Sequence, residues 1–312
     1  MDVQQAKAVF RGPMVSVATP FTPDFELDLE ALRTNIRFMV ERGVRQGQGV
    51  LLVAAAGGEF PMLSLEERKE VTRVSVEAAQ GEVPVATSLQ FTGTREVVEM
   101  ARFSHEVGAA LGQLSAPYYY EPPAGDIFGL FEAVSTESDL PIMIYNNWGN
   151  TLNMNVDMVE SLAELPNVVV LKWSAPASHQ FTTGLHHLAD RLAIFDNDGQ
   201  HVWSHMLGAV GFITHISNFW PEYPLEIWNL LERENYRQAI QKLAGFKWGW
   251  HKWVVKACQE TEGEGPFIKA AMEEVGLPAG PPRPPARPLS AALREEFGQL
   301  LAGAREPAGA GE

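Results

Sequence analysis

The feature that most constrains this chain is a strand-then-helix alternation repeated eight times. Short β-type apolar runs, each ending in small, polar or Gly/Pro residues, recur at regular intervals, and each of the first seven precedes a stretch of helical periodicity. The runs span Met14 to Phe21, Gly49 to Ala55, Val83 to Ser88, Ala110 to Tyr118, Pro141 to Asn147, Val168 to Trp173, Leu192 to Asp198 and Gly211 to Asn218. Between them, helices are predicted near 28–42, 64–80, 94–107, 126–137, 155–164, 179–189 and 200–207. The second is the best marked, because Ser64-Leu-Glu-Glu67 is a capping box. Such alternation implies a parallel sheet covered by helices.

Eight units suit a closed (β/α)8 barrel, whereas a doubly wound open sheet usually has fewer strands and a Gly-rich phosphate turn after the first. No G-x-G-x-x-G follows Phe21. The expected fold class is therefore α/β, a (β/α)8 TIM barrel over 1–223 with a C-terminal helical region over 224–312. In that region helices are predicted at 224–233, 235–258, 267–276 and 290–302, with a break at Glu262 to Pro266. Pro278 to Pro288 holds six prolines and reads as an extended strap. The tail from Ala302 is expected to fray.

Charge narrows the partners. Counting 24 Lys+Arg against 39 Asp+Glu gives −15, which repels phosphate backbones and excludes the basic footprint of a nucleic-acid binder. No run approaches the roughly 18 apolar residues of a membrane helix. One cysteine, Cys258, excludes an internal disulfide framework and a multi-Cys zinc site, and MDVQQAKAVFRG has no apolar signal core. The expectation is a cytoplasmic enzyme whose partners are small molecules or other subunits.

In such barrels the reacting groups sit at the C-terminal ends of strands. The polar residues there are Thr19, the Ala54 to Glu59 loop, Thr87, Ser88, Tyr118 to Tyr120, Tyr145 to Asn147, Lys172, Asp196 to Asp198, and His215 to Asn218. Lys172 ends the most apolar strand, and burial would leave its amine neutral and able to form a Schiff base. The alternative is a lysine snorkelling to solvent. Tyr145 ends the preceding strand, beside Lys172, as a proton carrier or as a core tyrosine. Asp196 and Asp198 are candidates for holding substrate hydroxyls, with helix capping the alternative for Asp198. Gly57 and Gly58 allow amides to converge on a carboxylate, or form a plain tight turn. A metal reading of Asp196 and Asp198 with His201 and His205 lacks the Glu of H-E-x-x-H, and no metal or cofactor is expected.

Seven segments in order then resemble the dihydrodipicolinate synthase / N-acetylneuraminate lyase family of class I, Schiff-base-forming pyruvate aldolases. They run through Val15 to Asp24, Ala55 to Arg68, Ser115 to Pro123, Pro141 to Thr151, Val168 to Ser174, Leu207 to Asn218 and Ile268 to Pro285, nearly the whole chain. The resemblance implies that Lys172 forms an imine with a 2-oxo acid, usually pyruvate, and that Tyr145 is the acid/base tyrosine. Ala56-Gly57 matches a hydroxyl pair that binds the pyruvyl carboxylate, and Ile213 a residue whose carbonyl lines the site. Tyr119 matches a tyrosine that crosses a dimer interface, within a dimer of dimers. His215 matches a position that contacts the substrate tail, and alternation puts it on one face with Ile213.

Departures matter for the substrate. Ala56 has no hydroxyl, which breaks the implied proton relay, although Gly57 and Gly58 still offer amides. Asn150 stands where the lysine-pathway synthases carry arginine, so a distal substrate carboxylate lacks its cation. Trp148 and Trp173 add large faces near the mouth, or pack in core or interface. The resulting expectation is a Schiff-base lyase, aldolase or dehydratase, acting on a 2-oxo acid with an aldehyde or sugar-acid partner. Ser174, Asp196, Asp198, His215 and Asn150 are the candidates on the acceptor side. The alternative is a 2-oxo acid-binding protein on an aldolase scaffold with little or no catalysis.

Overall fold

The computed structural model describes residues 1–149 and 152–305. Asn150 and the end of the tail lie outside the described residues. Eight parallel strands close in chain order into a barrel: β1 (Gly12–Ser16), β2 (Val50–Val53), β3 (Val85–Ser88), β4 (Leu111–Leu114), β5 (Ile142–Tyr145), β6 (Val168–Trp173), β7 (Ala193–Asp196) and β8 (Gly211–Thr214). The last closes on the first, with Met14 paired to Ile213. β6 matches its predicted run and β3 ends where its run does, while the final residues of the other six runs leave the strands for the loops of the mouth.

One helix was not anticipated. α1 (Val3–Val9) begins with a capping box from Asp2 and Gln5 and packs on β6 and β7. It buries Ala6, and Phe10 follows it into the same barrel-interior cluster. No apolar run precedes it, so the strand-then-helix alternation that marks the other short helices is missing here. The outer layer consists of α2 (Leu29–Glu41), α3 (Leu65–Ala79), α4 (Thr94–Glu106), α5 (Ala124–Glu137), α6 (Val156–Leu162), α7 (Ser178–Leu188) and α8 (His201–Met206). The predicted capping box at Ser64 and Glu67 is formed.

After β8 come α9 (Glu222–Glu232), α10 (Tyr236–Glu260), α11 (Gly265–Glu274) and α12 (Ala291–Arg305). α9 packs on β1, and one cluster joins Phe212 and Trp228 to Trp250, Trp253 and Phe297. The C-terminal helices therefore share a continuous core with the barrel wall. The proline strap is tied down by Asn35, whose Nδ2 donates to Pro278 O at 2.7 Å, and by Arg283, whose side chain donates to Phe25 O and Met62 O. No described helix is long and apolar enough to cross a membrane.

Side-chain alternation sorts the strand residues. Met14, Val50, Leu52, Ala86, Leu111, Met143, Val170 and Phe195 share the interior cluster. Their neighbours Val15, Leu51, Ile144 and Leu171 belong to the clusters beneath the helices. Two residues on from that interior set come Ser16, Ser88, Gln113, Tyr145 and Lys172, the inward layer at the C-terminal mouth.

Candidate active site

Lys172 is 4% exposed, and burial lowers its pKa to about 8 despite the opposing charge of Glu264. Its Nζ lies 4.1 Å from the centroid of the Tyr145 ring and 3.4 Å from Gln113 Oε1. The amide of Gln113 in turn donates to Gln90 Oε1 at 2.8 Å, and Ser88 Oγ donates to the same oxygen. The side chains hydrogen-bonded around the amine are uncharged, and with a pKa of about 8 roughly a tenth of it is the neutral nucleophile at pH 7. Asn147 Nδ2 donates to the Tyr145 hydroxyl at 2.7 Å.

The loop after β2 is tightly built. The Gly57 N–H donates to Ser16 Oγ at 3.0 Å and the Gly58 N–H to Ala55 O at 3.0 Å. Both amides expected to offer themselves to a carboxylate are therefore engaged within the protein. Thr19 Oγ1 donates to Gly58 O, clamping the loop to the end of β1. Close by, Glu59 pairs with Lys269 at 2.7 Å, and both side chains are almost wholly buried.

Other candidates are placed differently from one another. Ser174 Oγ donates to Asn146 O, and Asn146 Nδ2 donates to Ser174 O, so these two brace the ends of β5 and β6. Asp196 has the opposite alternation to Phe195 and faces the helical layer. Its Oδ1 accepts the Asp198 N–H, while its Oδ2 pairs with His201 Nδ1 at 2.7 Å. His201 Nε2 meets Lys247 Nζ at 2.6 Å. Both carboxylate oxygens are engaged within the protein. Burial, with Lys247 beside it, pushes His201 down to about 4. His205 faces Trp228 and Tyr236 instead. Asp198 bonds to Trp148 at the rim, and its carboxyl pKa is raised by burial and by Asp196.

Trp173 is core: its ring fills the space above Gly184, and its Nε1 donates to Phe181 O. Trp148 remains half exposed at the rim. Tyr119 is 85% exposed with φ +87° and packs edge-on against Tyr120.

β8 ends at Thr214, so His215 lies outside the strand whose alternation was extended to it. The Ile216 N–H donates to Thr214 Oγ1, and the chain enters a 3-10 turn. Ile213 stays inward against the interior cluster. His215 instead meets Glu264 of the segment before α11, Nε2 to Oε2 3.0 Å, and packs edge-on against Phe267. A cavity of about 180 Å³ lies on this side, lined by Ile213, His215, Lys247 and Trp250 among others.

No sequence pattern marks Glu264 as a site residue. Burial pushes its carboxyl up, but His215 and Lys172 outweigh that and hold it below its ordinary value. It sits in a break between helices with no periodic signal, and only the folded topology brings it toward Lys172. Gln113 and Ser16 were also missed, although both share their strands' inward register with apolar residues.

A buried lysine against a tyrosine face, at the C-terminal mouth of a (β/α)8 barrel, is the arrangement of a class I lyase. The sequence profile of the Dihydrodipicolinate synthetase family matches residues 9–304, and the chain belongs to that family. It is accordingly an enzyme of the Schiff-base pyruvate aldolase type, a class I aldolase/lyase.

Among similar proteins, the 4-hydroxy-tetrahydrodipicolinate synthase of Clostridium perfringens is 32% identical over 235 residues, 75% of this chain and 78% of its own length. That of Methanothrix thermoacetophila is 30% identical over 288 residues, covering 90% and 92%. The structure of dihydrodipicolinate synthase from Aquifex aeolicus superposes with TM-score 0.82 at 27% identity, covering 94% and 97%. A Clostridium difficile protein solved in complex with mannosamine gives 0.83 at 20% identity, covering 94% and 98%, a likeness of fold alone.

Proposed function

We propose that this enzyme condenses Lys172 with the carbonyl of a small 2-oxo acid, pyruvate in the simplest case, and makes or breaks a bond at the carbon next to that carbonyl. The observation that carries this reading is the burial of Lys172, which lowers its pKa to about 8. The neutral amine attacks the carbonyl carbon, the carbinolamine loses water, and the protonated imine draws electrons from the neighbouring carbon as a proton or an aldehyde leaves. Tyr145, whose ring lies against Nζ, carries protons to and from the departing oxygen.

The acceptor side favours a partner without a distal carboxylate. Asn150 supplies no cation, and the nearby charged groups include Glu264 and Asp198. This argues against the dihydrodipicolinate reaction and for neutral or hydroxylated aldehydes, with dehydration of a sugar acid as the second reading. Incubation with pyruvate and a panel of aldehydes, with products resolved by mass spectrometry, tests it. A condensation product that requires Lys172 supports the reading, and efficient turnover only with an acidic semialdehyde contradicts the acceptor assignment.

Tyr119 belongs to an interface in this reading, because a tyrosine with positive φ and an 85% exposed ring is otherwise without support. Light scattering is expected to show at least a dimer, and a monomer would refute that.

A further inference from the structure

The structure puts an unexpected hydroxyl at the mouth. Ser16 ends β1 and follows Met14 in the inward register, as Lys172 follows Val170 on β6. It is 2% exposed. Its Oγ accepts the Gly57 N–H at 3.0 Å, and among the described residues no acceptor takes its O–H proton. A serine hydroxyl accepts up to two hydrogen bonds and donates one, so its donor is unused, along with one acceptor position. A buried donor of this kind normally has a partner.

Gly57 and Ser16 also exclude one another sterically. A Cβ at position 57 would lie 2.6 Å from Ser16 Oγ, 2.9 Å from Ile268 Cδ1 and 3.0 Å from Ser16 O. A side chain at position 57 therefore has no room, with Ile268 and the β1 backbone in its way as well as the Ser16 hydroxyl. Ala56 and Gly57 carry no hydroxyl, while Ser16 places one against the Gly57 amide.

We propose that Ser16 binds the carboxylate of the 2-oxo acid, its O–H donating to the carboxylate while its oxygen keeps the Gly57 amide. This rests on the Schiff-base reading above and assigns it a specificity residue. The geometry suits it: β1 lies three strands round the barrel from β6, across β8 and β7, so Ser16 and Lys172 face the same mouth from separated walls, as the two ends of a small 2-oxo acid require. A hydrogen bond to an ionised group is stronger than a neutral one, so its loss is measurable.

The test is borohydride trapping across a range of concentrations of pyruvate and of its neutral isostere pyruvamide, read by intact mass, on wild type and Ser16→Ala, with thermal melts alongside. Ser16→Ala is expected to raise half-saturation about 10- to 100-fold while still reaching one adduct per chain. Half-saturation by pyruvamide, which has no carboxylate, is expected to change far less. An unchanged half-saturation in Ser16→Ala overturns the assignment. So does an equal rise for pyruvate and pyruvamide, because the loss then comes from a slackened loop. Absence of any adduct on the wild type with any 2-oxo acid tried overturns the Schiff-base reading itself.

Discussion

Lys172 and Tyr145 are register partners on adjacent strands, and the lysine nitrogen stands 4.1 Å from the centroid of the tyrosine ring. The ring holds the amine by its face, and the phenol holds a separate hydrogen bond from Asn147. Tyr145→Phe keeps the face and removes the proton carrier. Turnover is expected to fall about 10²- to 10⁴-fold, with the Lys172 adduct still formed on long exposure to borohydride. Unchanged turnover in a steady-state assay would take Tyr145 out of the chemistry.

Adduct formation should follow the neutral amine. Its rate is expected to rise with pH through a half-point near 8. The groups that face Lys172 are Tyr145 from β5, the uncharged Gln113 from β4 and Glu264 from the segment before α11. Glu264 itself is held by His215. Because the Glu264 carboxylate favours the ammonium, Glu264→Gln should move the half-point to lower pH. A half-point that stays in place in the variant would mean that Glu264 has no electrostatic hold on the amine.

Burying an ammonium costs stability, and the cost has a direction in pH. The folded pKa of Lys172 is about 8, below its ordinary value of 10.5, so between these values the unfolded chain binds more protons. Stability from this group therefore rises as pH climbs from 8 to 10.5, and below 8 the full penalty is present. Lys172→Met is expected to be more stable than wild type by roughly 2–3 kcal/mol at neutral pH, with the gap closing toward pH 10. Urea denaturation at a series of pH values measures it, and a less stable variant at pH 7 would contradict the burial argument.

The Glu59–Lys269 pair behaves oppositely. Lys269 is 2% exposed, donates to Pro281 O at 2.9 Å and lies over Phe21, joining the loop after β2 to α11 and the strap. Lys269→Ala leaves the Glu59 carboxylate buried and unpaired, a loss of about 3–5 kcal/mol. The midpoint of urea unfolding should drop accordingly, and an unshifted midpoint would show that water already neutralises the pair.

Much of this architecture was legible because the alternation of apolar runs and helical stretches is a direct consequence of packing a parallel sheet under helices. Val168 to Trp173 coincides with β6 residue for residue, and Lys172 was visible as a cation ending an uninterrupted apolar strand. Asp196 and His215 show where reading stops. One step of strand alternation turns Asp196 toward His201, and a turn after Thr214 takes His215 out of the strand. Glu264 depends on a contact between residues 49 positions apart, which no local pattern encodes. Ser16 was readable in principle from its two-residue spacing to Met14, but an isolated serine at a strand end has no chemical mark until Gly57 is seen against it.

The most direct test of the account is the intact mass of the protein after borohydride treatment with pyruvate, beside Lys172→Ala. One reduced pyruvyl adduct per chain is expected on wild type and none on the variant. An adduct that persists on Lys172→Ala, or none on wild type with any 2-oxo acid, would contradict it.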